Sequence, residues 1–401
     1  MSYKFLLDIA LILFTTKLLG MLAKKLGLPQ VVGALIAGLF IGPTILDWLH
    51  GTDFITKVAE MGVIVIMFAA GMETDLHNLK KSGKPGLIIA ILGVLVPLFL
   101  GAGVAWFFNR GEFATGGNIM LQNFFIGVIL TATSVSITVQ TLKELGHLNS
   151  NVGNSILAAA LIDDILGLIA LTIIISLGGA EVSLLWIFAK IIGFFVFAVV
   201  FGFAAHKFLV WYEGYVTEEH DDHYLFPVLA LTLCFSMSYI AEHYFGVADI
   251  IGAFIAGLVI GSTPKMESIN ETIAPISAVL LTPIFFANIG IKVTIPSMNA
   301  HMLLLSVSIV AVALLSKFIG CGLGAKLCNY NNKEAIQIGC GMICRGEVAL
   351  IVANKGIAMN LMPPAFFAPI IIMVICAAIF TPILLKLVFK GEAPTEVPSE
   401  A

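Results

Sequence analysis

Apolar residues run along this chain in long blocks separated by short polar stretches. Thirteen such segments can be drawn by length and loop signals, at approximately 3–24, 29–46, 55–73, 85–108, 119–142, 152–179, 183–211, 223–244, 247–263, 269–291, 301–327, 334–357 and 364–388. A hydrocarbon core about 30 Å thick needs about 20 apolar residues of helix. Backbone polar groups in lipid must also be satisfied within their own segment. The pattern therefore predicts an all-α polytopic membrane protein of about 13 transmembrane helices. A membrane β-barrel would alternate apolar and polar positions over short strands, and this chain does not. The first segment carries Asp8 and Lys17 and lacks a small-x-small cleavage site, so it is expected to persist as a helix and not as a leader peptide.

Composition agrees with the pattern. Of 401 residues, 59% are hydrophobic and 11% charged, and the mean hydropathy is +1.03. Soluble domains carry about 25% charged residues. The six cysteines form no CxxC pair and lie mostly in apolar stretches, which suits small core residues better than a metal site or a disulfide frame. No nucleic-acid partner, ATP, resident metal or organic cofactor is implied, and an enzyme is not expected.

The basic residues set the expected orientation. With the N-terminus outside, twelve fall at cytoplasmic ends: Lys24, Lys25, Lys80, Lys81, Lys84, Lys143, Lys207, Lys265, Lys326, Lys333, Lys386 and Lys390. Six fall at outer ends: Lys4, Lys57, Arg110, Lys190, Lys292 and Lys355. That bias favours N-out, C-in. Residues 392–401 are expected to form a short polar tail and not a regulatory domain.

The chain repeats itself. GALIAGLFIG at Gly33–Gly42 matches GAFIAGLVIG at Gly252–Gly261 in eight of ten positions, at an offset of 219. The same offset carries Gly71 onto Gly290. The matched segments, 2–3 and 9–10, are seven apart, an odd number, so the halves are expected to point in opposite directions. This is an inverted-topology repeat, which secondary transporters use to place a site at the midplane. Each copy holds a GxxxG (Gly38 with Gly42, Gly257 with Gly261), a motif suited to close helix packing or to a dimer face. By the same logic segments 1–3 and 8–10 (1–82 and 222–294) form a scaffold and dimerisation bundle, segments 4–6 and 11–13 (84–180 and 300–391) form a transport bundle, and 183–221 is a linker helix and cytoplasmic loop.

The costliest residues in the pattern are Asp163 and Asp164, adjacent in the middle of NSILAAALIDDILGLIALTIIISLGG. A carboxylate at the bilayer centre costs about 2.5–3.5 kcal/mol on insertion scales. Consecutive helical residues are rotated by about 100°, so the two cannot point the same way. Carboxylates hold either protons or hard cations, and the pair reads as an ion- and proton-binding site. Lys317 lies deep in segment 11 and needs a carboxylate partner, for which the aspartates are the candidates. Thr131, Thr133 and Ser134 of TATS in segment 5 suggest either a locally broken helix whose carbonyls and hydroxyls face a cation or ordinary Ser/Thr bonding back to the helix. Arg345 and Glu347, mid-span among glycines, could neutralise each other or the ends of neighbouring broken helices. Asn288, Glu73 and Lys292 are weaker candidates. The loop with Glu213, Glu218, Glu219, His220, Asp221, Asp222 and His223 is either a solvated linker or a pH-sensing stretch.

TATSVSIT, then LIDDILGL, then GMICRGEVALIVA, in this order, resembles the monovalent cation:proton antiporters of the NapA/GerN/Kef-type branch, over essentially the whole membrane chain. The resemblance implies a NhaA/NapA-like fold with two unwound crossing helices in segments 5 and 12. It makes Asp164 the principal carboxylate for Na⁺ and Asp163 a partner of Lys317 that lets go when the cation enters, so that both would ligate the ion. It also implies a homodimer with an elevator-type transport bundle. Adjacent aspartates are similar to the electrogenic members. The family often has proline where this chain has Cys344. The expected activity is exchange of Na⁺ (or Li⁺) for H⁺. Potassium exchange or Kef-like efflux, a sodium-coupled organic-anion symporter, an intramembrane aspartyl protease and a channel are the alternatives. The protease is disfavoured because it needs its aspartates on separate helices.

Overall fold

Most of the blocks fold as helices because lipid leaves their backbone polar groups no partner outside the segment, while the polar breaks supply helix ends. Thr52, Asn118, Ser150, Asn299 and Asn331 each accept a backbone N–H of the following first turn, the usual way of satisfying those otherwise orphaned donors. Gly146 ends one helix in the left-handed conformation, at φ 74°. The computed structural model describes residues 3–110, 118–178, 184–215, 224–293 and 299–393.

In chain order the helices are α1 (Lys4–Lys25), α2 (Gln30–Ile41), α3 (Asp53–Glu73), α4 (Leu76–Phe108), α5 (Ile119–Ile129), α6 (Val135–Leu145), α7 (Asn151–Leu177) and α8 (Leu184–Tyr215). They continue with α9 (Leu225–Ile240), α10 (Asp249–Gly261), α11 (Met266–Ile276), α12 (Thr282–Ile291), α13 (Ala300–Leu327), α14 (Asn332–Gly341), α15 (Glu347–Ala358) and α16 (Phe367–Val388). Among the described residues there is no strand, and nine helical stretches are long and apolar enough to cross a membrane. The remaining predicted segments are short or interrupted: α2, α10, and the pairs α5–α6 and α14–α15. A single wide turn, Ser277–Leu281, joins α11 to α12 just beyond Pro275, where proline removes a backbone donor. Helix α4 starts earlier than the predicted segment 4, at Leu76, and carries Pro85 inside it. Its first turns, with Lys80, Lys81 and Lys84, are too polar for a hydropathy signal.

The helices gather into two compact units. The first comprises Met1–Phe14, Gly51–His77 and Leu185–Asn288, and the second Thr15–His50, Asn78–Leu184 and Ile289–Ala401. The expected transport segments, 84–180 and 300–391, fall in the second unit, which also takes residues 15–50.

Glycine contacts recur at the offset of the sequence repeat. In the first unit a Cβ on Gly71 would meet Gly257 Cα at 3.0 Å, and one on Gly261 would meet Met72 Cα at 3.1 Å. In the second unit a Cβ on Gly290 would meet the Gly38 carbonyl carbon at 2.6 Å, and one on Gly42 would meet Ile291 Cα at 3.1 Å. Both GxxxG pairs therefore serve backbone-to-backbone packing within one chain.

Candidate functional site

Two spans are broken. Helix α5 ends at its cap Leu130, and the chain leaves helical geometry until Val135 opens α6. Threonine hydroxyls compete with the helix for backbone partners: Thr131 Oγ1 donates to Val128 O at 2.7 Å. Helix α14 ends at Gly341, capped by Met342, and α15 begins at Glu347. The two breaks cross. Ser134 N donates to Cys344 O at 3.0 Å, and Thr138 Oγ1 donates to Gly341 O at 2.9 Å. Gly346 allows the approach, since a Cβ there would sit 2.8 Å from the Ser134 side chain.

The crossing leaves the C-terminal ends of α5 and α14 inside the protein, each with partial negative charge. Two fully buried cations answer them. Arg345 Nη2 donates to Leu130 O at 2.7 Å and Ala313 O at 3.3 Å. Its Nη1 donates to Ile343 O, Cys344 O and Met342 O at 3.2, 3.3 and 3.4 Å. Lys317 Nζ, from α13, donates to Thr131 O at 2.9 Å. Of the two arrangements expected for Arg345, the guanidinium adopts the second: it serves helix ends and does not pair with Glu347. Glu347 occupies the first turn of α15, where an acid complements the positive end of the helix, and lies 3.9 Å from Lys292 Nζ.

The aspartates on α7 have different surroundings. Asp163 is buried and saturated: Lys317 Nζ lies 2.5 Å from Oδ1, and Thr133 Oγ1 donates to Oδ2 at 2.8 Å. Asp164 is partly exposed, yet its Oδ2 is buried and has no hydrogen-bond partner. A buried carboxylate oxygen left unmatched is unfavourable, so this side chain is suited to take up a proton or a cation. Asp163, Asp164, Thr131, Thr133, Ser134, Lys317 and Arg345 thus come together at one crossing. Asn288 belongs to the first unit and is buried with an unmatched Oδ1, Glu73 sits in the last turn of α3, and His220 and His223 lie outside the described residues. No cluster of three or more metal-ligating side chains occurs among the described residues.

Residues 10–391 match the family model described as sodium/hydrogen exchanger, transmembrane. The chain belongs to the sodium/hydrogen exchanger family. Among this exchanger's relatives, the Na(+)/H(+)-K(+) antiporter GerN of Bacillus cereus is 37% identical over 395 residues, which cover 98% of each chain. The Na(+)/H(+) antiporter of Enterococcus hirae is 33% identical over 379 residues, covering 94% of this chain and 96% of its own. The structure of the sodium proton antiporter MjNhaP1 from Methanocaldococcus jannaschii superposes with a TM-score of 0.67 at 19% identity, covering 98% of each chain. That likeness shows a shared fold.

Sequence reading of this exchanger missed two polar ties at the ends of the crossing. At one, Asn109 Nδ2 donates to Gln122 Oε1 at 3.1 Å and Asn123 Oδ1 at 3.0 Å, and Gln122 Nε2 donates to Asn360 O at 3.3 Å. At the other, Glu392 pairs with Lys333 at 2.6 Å and accepts from Gln337 Nε2 at 2.8 Å, while His147 stacks on Phe389 at 4.5 Å. The tail residue Glu392 is therefore folded back onto α14. Partial burial opposes its charge, but the hydrogen bonds from Lys333 and Gln337 outweigh burial and hold its carboxyl below the usual glutamate range. A depressed folded value means stability that is present above the unfolded value and lost as pH falls through the folded one. Glu392→Gln is expected to lower stability by at most about 1 kcal/mol near neutral pH. The difference should vanish in acid, as read from thermal melts of the detergent-solubilised protein across pH.

Proposed function

We propose that this protein is a secondary antiporter exchanging Na⁺ (or Li⁺) for H⁺ across a bacterial inner membrane. The observation that carries the reading is the division of labour between adjacent carboxylates. Asp163 is held by Lys317 and Thr133, while Asp164 presents an unmatched oxygen. A proton on Asp164 leaves the Asp163–Lys317 pair intact. A cation arriving at Asp164 recruits Asp163 as a second ligand and releases Lys317. Cation and proton then occupy the site in turn, which is the condition for exchange without leak. Thr131, Thr133 and Ser134 shape the site. Arg345 fixes the helix ends around it, with Glu347 at the start of α15.

The same reading takes all thirteen segments as spans, N-terminus outside and C-terminus cytoplasmic, built as an inverted repeat. The glycine contacts at offset 219 support the repeat: Gly42 meets Ile291 as Gly261 meets Met72. A transport bundle of 84–180 and 300–391 would move as an elevator against a dimeric scaffold of 1–82 and 222–294. Compactness in one conformation and the boundary of a moving body are different partitions, so α2 can pack with the transport segments and still belong to the scaffold. Potassium is the second reading for the cation, favoured by the GerN relative, whose name includes K(+). Purified protein in proteoliposomes, with Na⁺, Li⁺ and K⁺ compared side by side and the voltage clamped or free, tests this. Proton movement driven by Na⁺ or Li⁺, faster when charge is compensated, is the expected result. Proton movement indifferent to the cation would overturn it.

A further inference from the structure

Helix α4 passes directly beside the ion pair, and at the point of passage it has no side chain. A Cβ on Gly93 would fall 3.6 Å from both Asp163 Oδ1 and Lys317 Nζ, and only 2.6 Å from Cys321 Sγ. The first two distances are ordinary contact, and at the third either the thiol or the backbone must shift. Cys321 is fully buried and lies one turn beyond Lys317, on the same face of α13. The two helices have no slack in which to absorb a displacement. A Cβ on Gly320 would meet Leu92 O at 2.6 Å, and one on Gly324 would meet Ile89 Cα at 2.7 Å. Cysteine has a single side-chain torsion, one of whose staggered positions is disfavoured in a helix. A methyl group at position 93 therefore drives the thiol toward Lys317 or shifts the turn of α13 that carries the ammonium.

We propose that Gly93 is a positioning residue for the Asp163–Lys317 pair, acting through Cys321. Its bare backbone sets where the Lys317 ammonium rests, and hence how readily a cation separates it from Asp163. This rests on the antiport reading of that pair. The other glycines of α4 do not share the role. Gly86 faces Ala158 of α7, and a Cβ on Gly103 would meet nothing within 4 Å.

The test uses the full chain in proteoliposomes, with proton flux titrated against Na⁺ at several pH values. Gly93→Ala is expected to change the apparent KM for Na⁺ by about tenfold and to displace the pH profile, with a smaller change in kcat. Gly93→Ala combined with Cys321→Ala removes the clash and is expected to return both readouts to within about threefold of wild type. Gly103→Ala, on the same helix, controls for helix propensity and should behave as wild type. A Gly93→Ala protein with wild-type KM and pH profile overturns the proposal, as does a change that Cys321→Ala does not reverse. If Gly93→Ala alone does not fold, the double variant decides: folding with near wild-type KM upholds the role of the thiol, and failure to fold overturns it. Exchange retained by Asp164→Asn would instead sink the antiport reading itself. A silent Gly93→Ala beside an inactive Asp164→Asn would sink this inference alone.

Discussion

Asp164→Asn is expected to reduce Na⁺-driven proton flux in proteoliposomes to the level of protein-free vesicles, while the protein still folds. The carboxylate has a buried oxygen with no hydrogen-bond partner, so replacing it strands no donor at that oxygen. Asparagine has the same shape and can neither bind a proton in this range nor neutralise a cation. Its effect on stability should fall within the small range typical of substitutions that break no packing or pairing, about 0.5 kcal/mol. Loss of flux with an unchanged melting temperature would separate function from structure at this position. Full exchange in the mutant would remove Asp164 from the site. The neighbouring carboxylate cannot give so clean a result, because removing Asp163 strands the Lys317 ammonium in the interior, a structural injury in its own right.

The second large effect belongs to Arg345→Ala, and it should appear in stability before transport. The guanidinium is fully buried and is the donor for the terminal carbonyls of α5 and α14 as well as for Ala313 on α13. Charge-assisted hydrogen bonds contribute about 1.5–3 kcal/mol each when a partner is stranded. The losses will not add fully, since water can enter the space, but a deficit of about 3 kcal/mol or more is expected. Thermal unfolding of the detergent-solubilised protein reads it directly. Arg345→Lys should fall between wild type and alanine: it keeps the charge but lacks the fork that reaches two helix ends at once. An alanine variant that melts with wild type would mean the helix ends find other donors, and the guanidinium would then need another explanation.

Much of this was legible in the sequence, for identifiable reasons. Apolar blocks of helix length announce spans because lipid leaves the backbone no other partner. Charges inside those blocks announce a site because they are too costly to be idle. Asp163, Asp164 and Lys317 stood out on that ground, and the Thr131–Ser134 run stood out because polar β-branched residues weaken a helix. What was not legible depends on contacts between distant parts of the chain. Arg345 and Glu347 are two residues apart and opposite in charge, yet the backbone leaves helical geometry between Met342 and Glu347, and they face different partners. Gly93 is one of several glycines on α4, and only the approach of α13 distinguishes it. Glu392 looked like the start of a solvated tail, because nothing local indicates that Lys333 and Gln337 lie opposite it.

The hydrogen bond from Ser134 N to Cys344 O bears on which mutations the crossing can absorb. Position 344 enters the crossing through its carbonyl, which also accepts from Arg345, and among the described residues its own N–H donates to no protein group. Proline at this position would keep that carbonyl and, on the main chain, lack the donor that Cys344 leaves unused, at the cost of the buried thiol. A change from one to the other therefore costs the crossing no main-chain hydrogen bond, while proline in addition fixes φ and restricts the residue before it. At position 345 the required atoms belong to the side chain, and the same latitude does not exist. Neighbouring positions in one break thus answer to different demands: the first supplies a main-chain acceptor and a small buried side chain, the second a fork of donors that arginine alone carries.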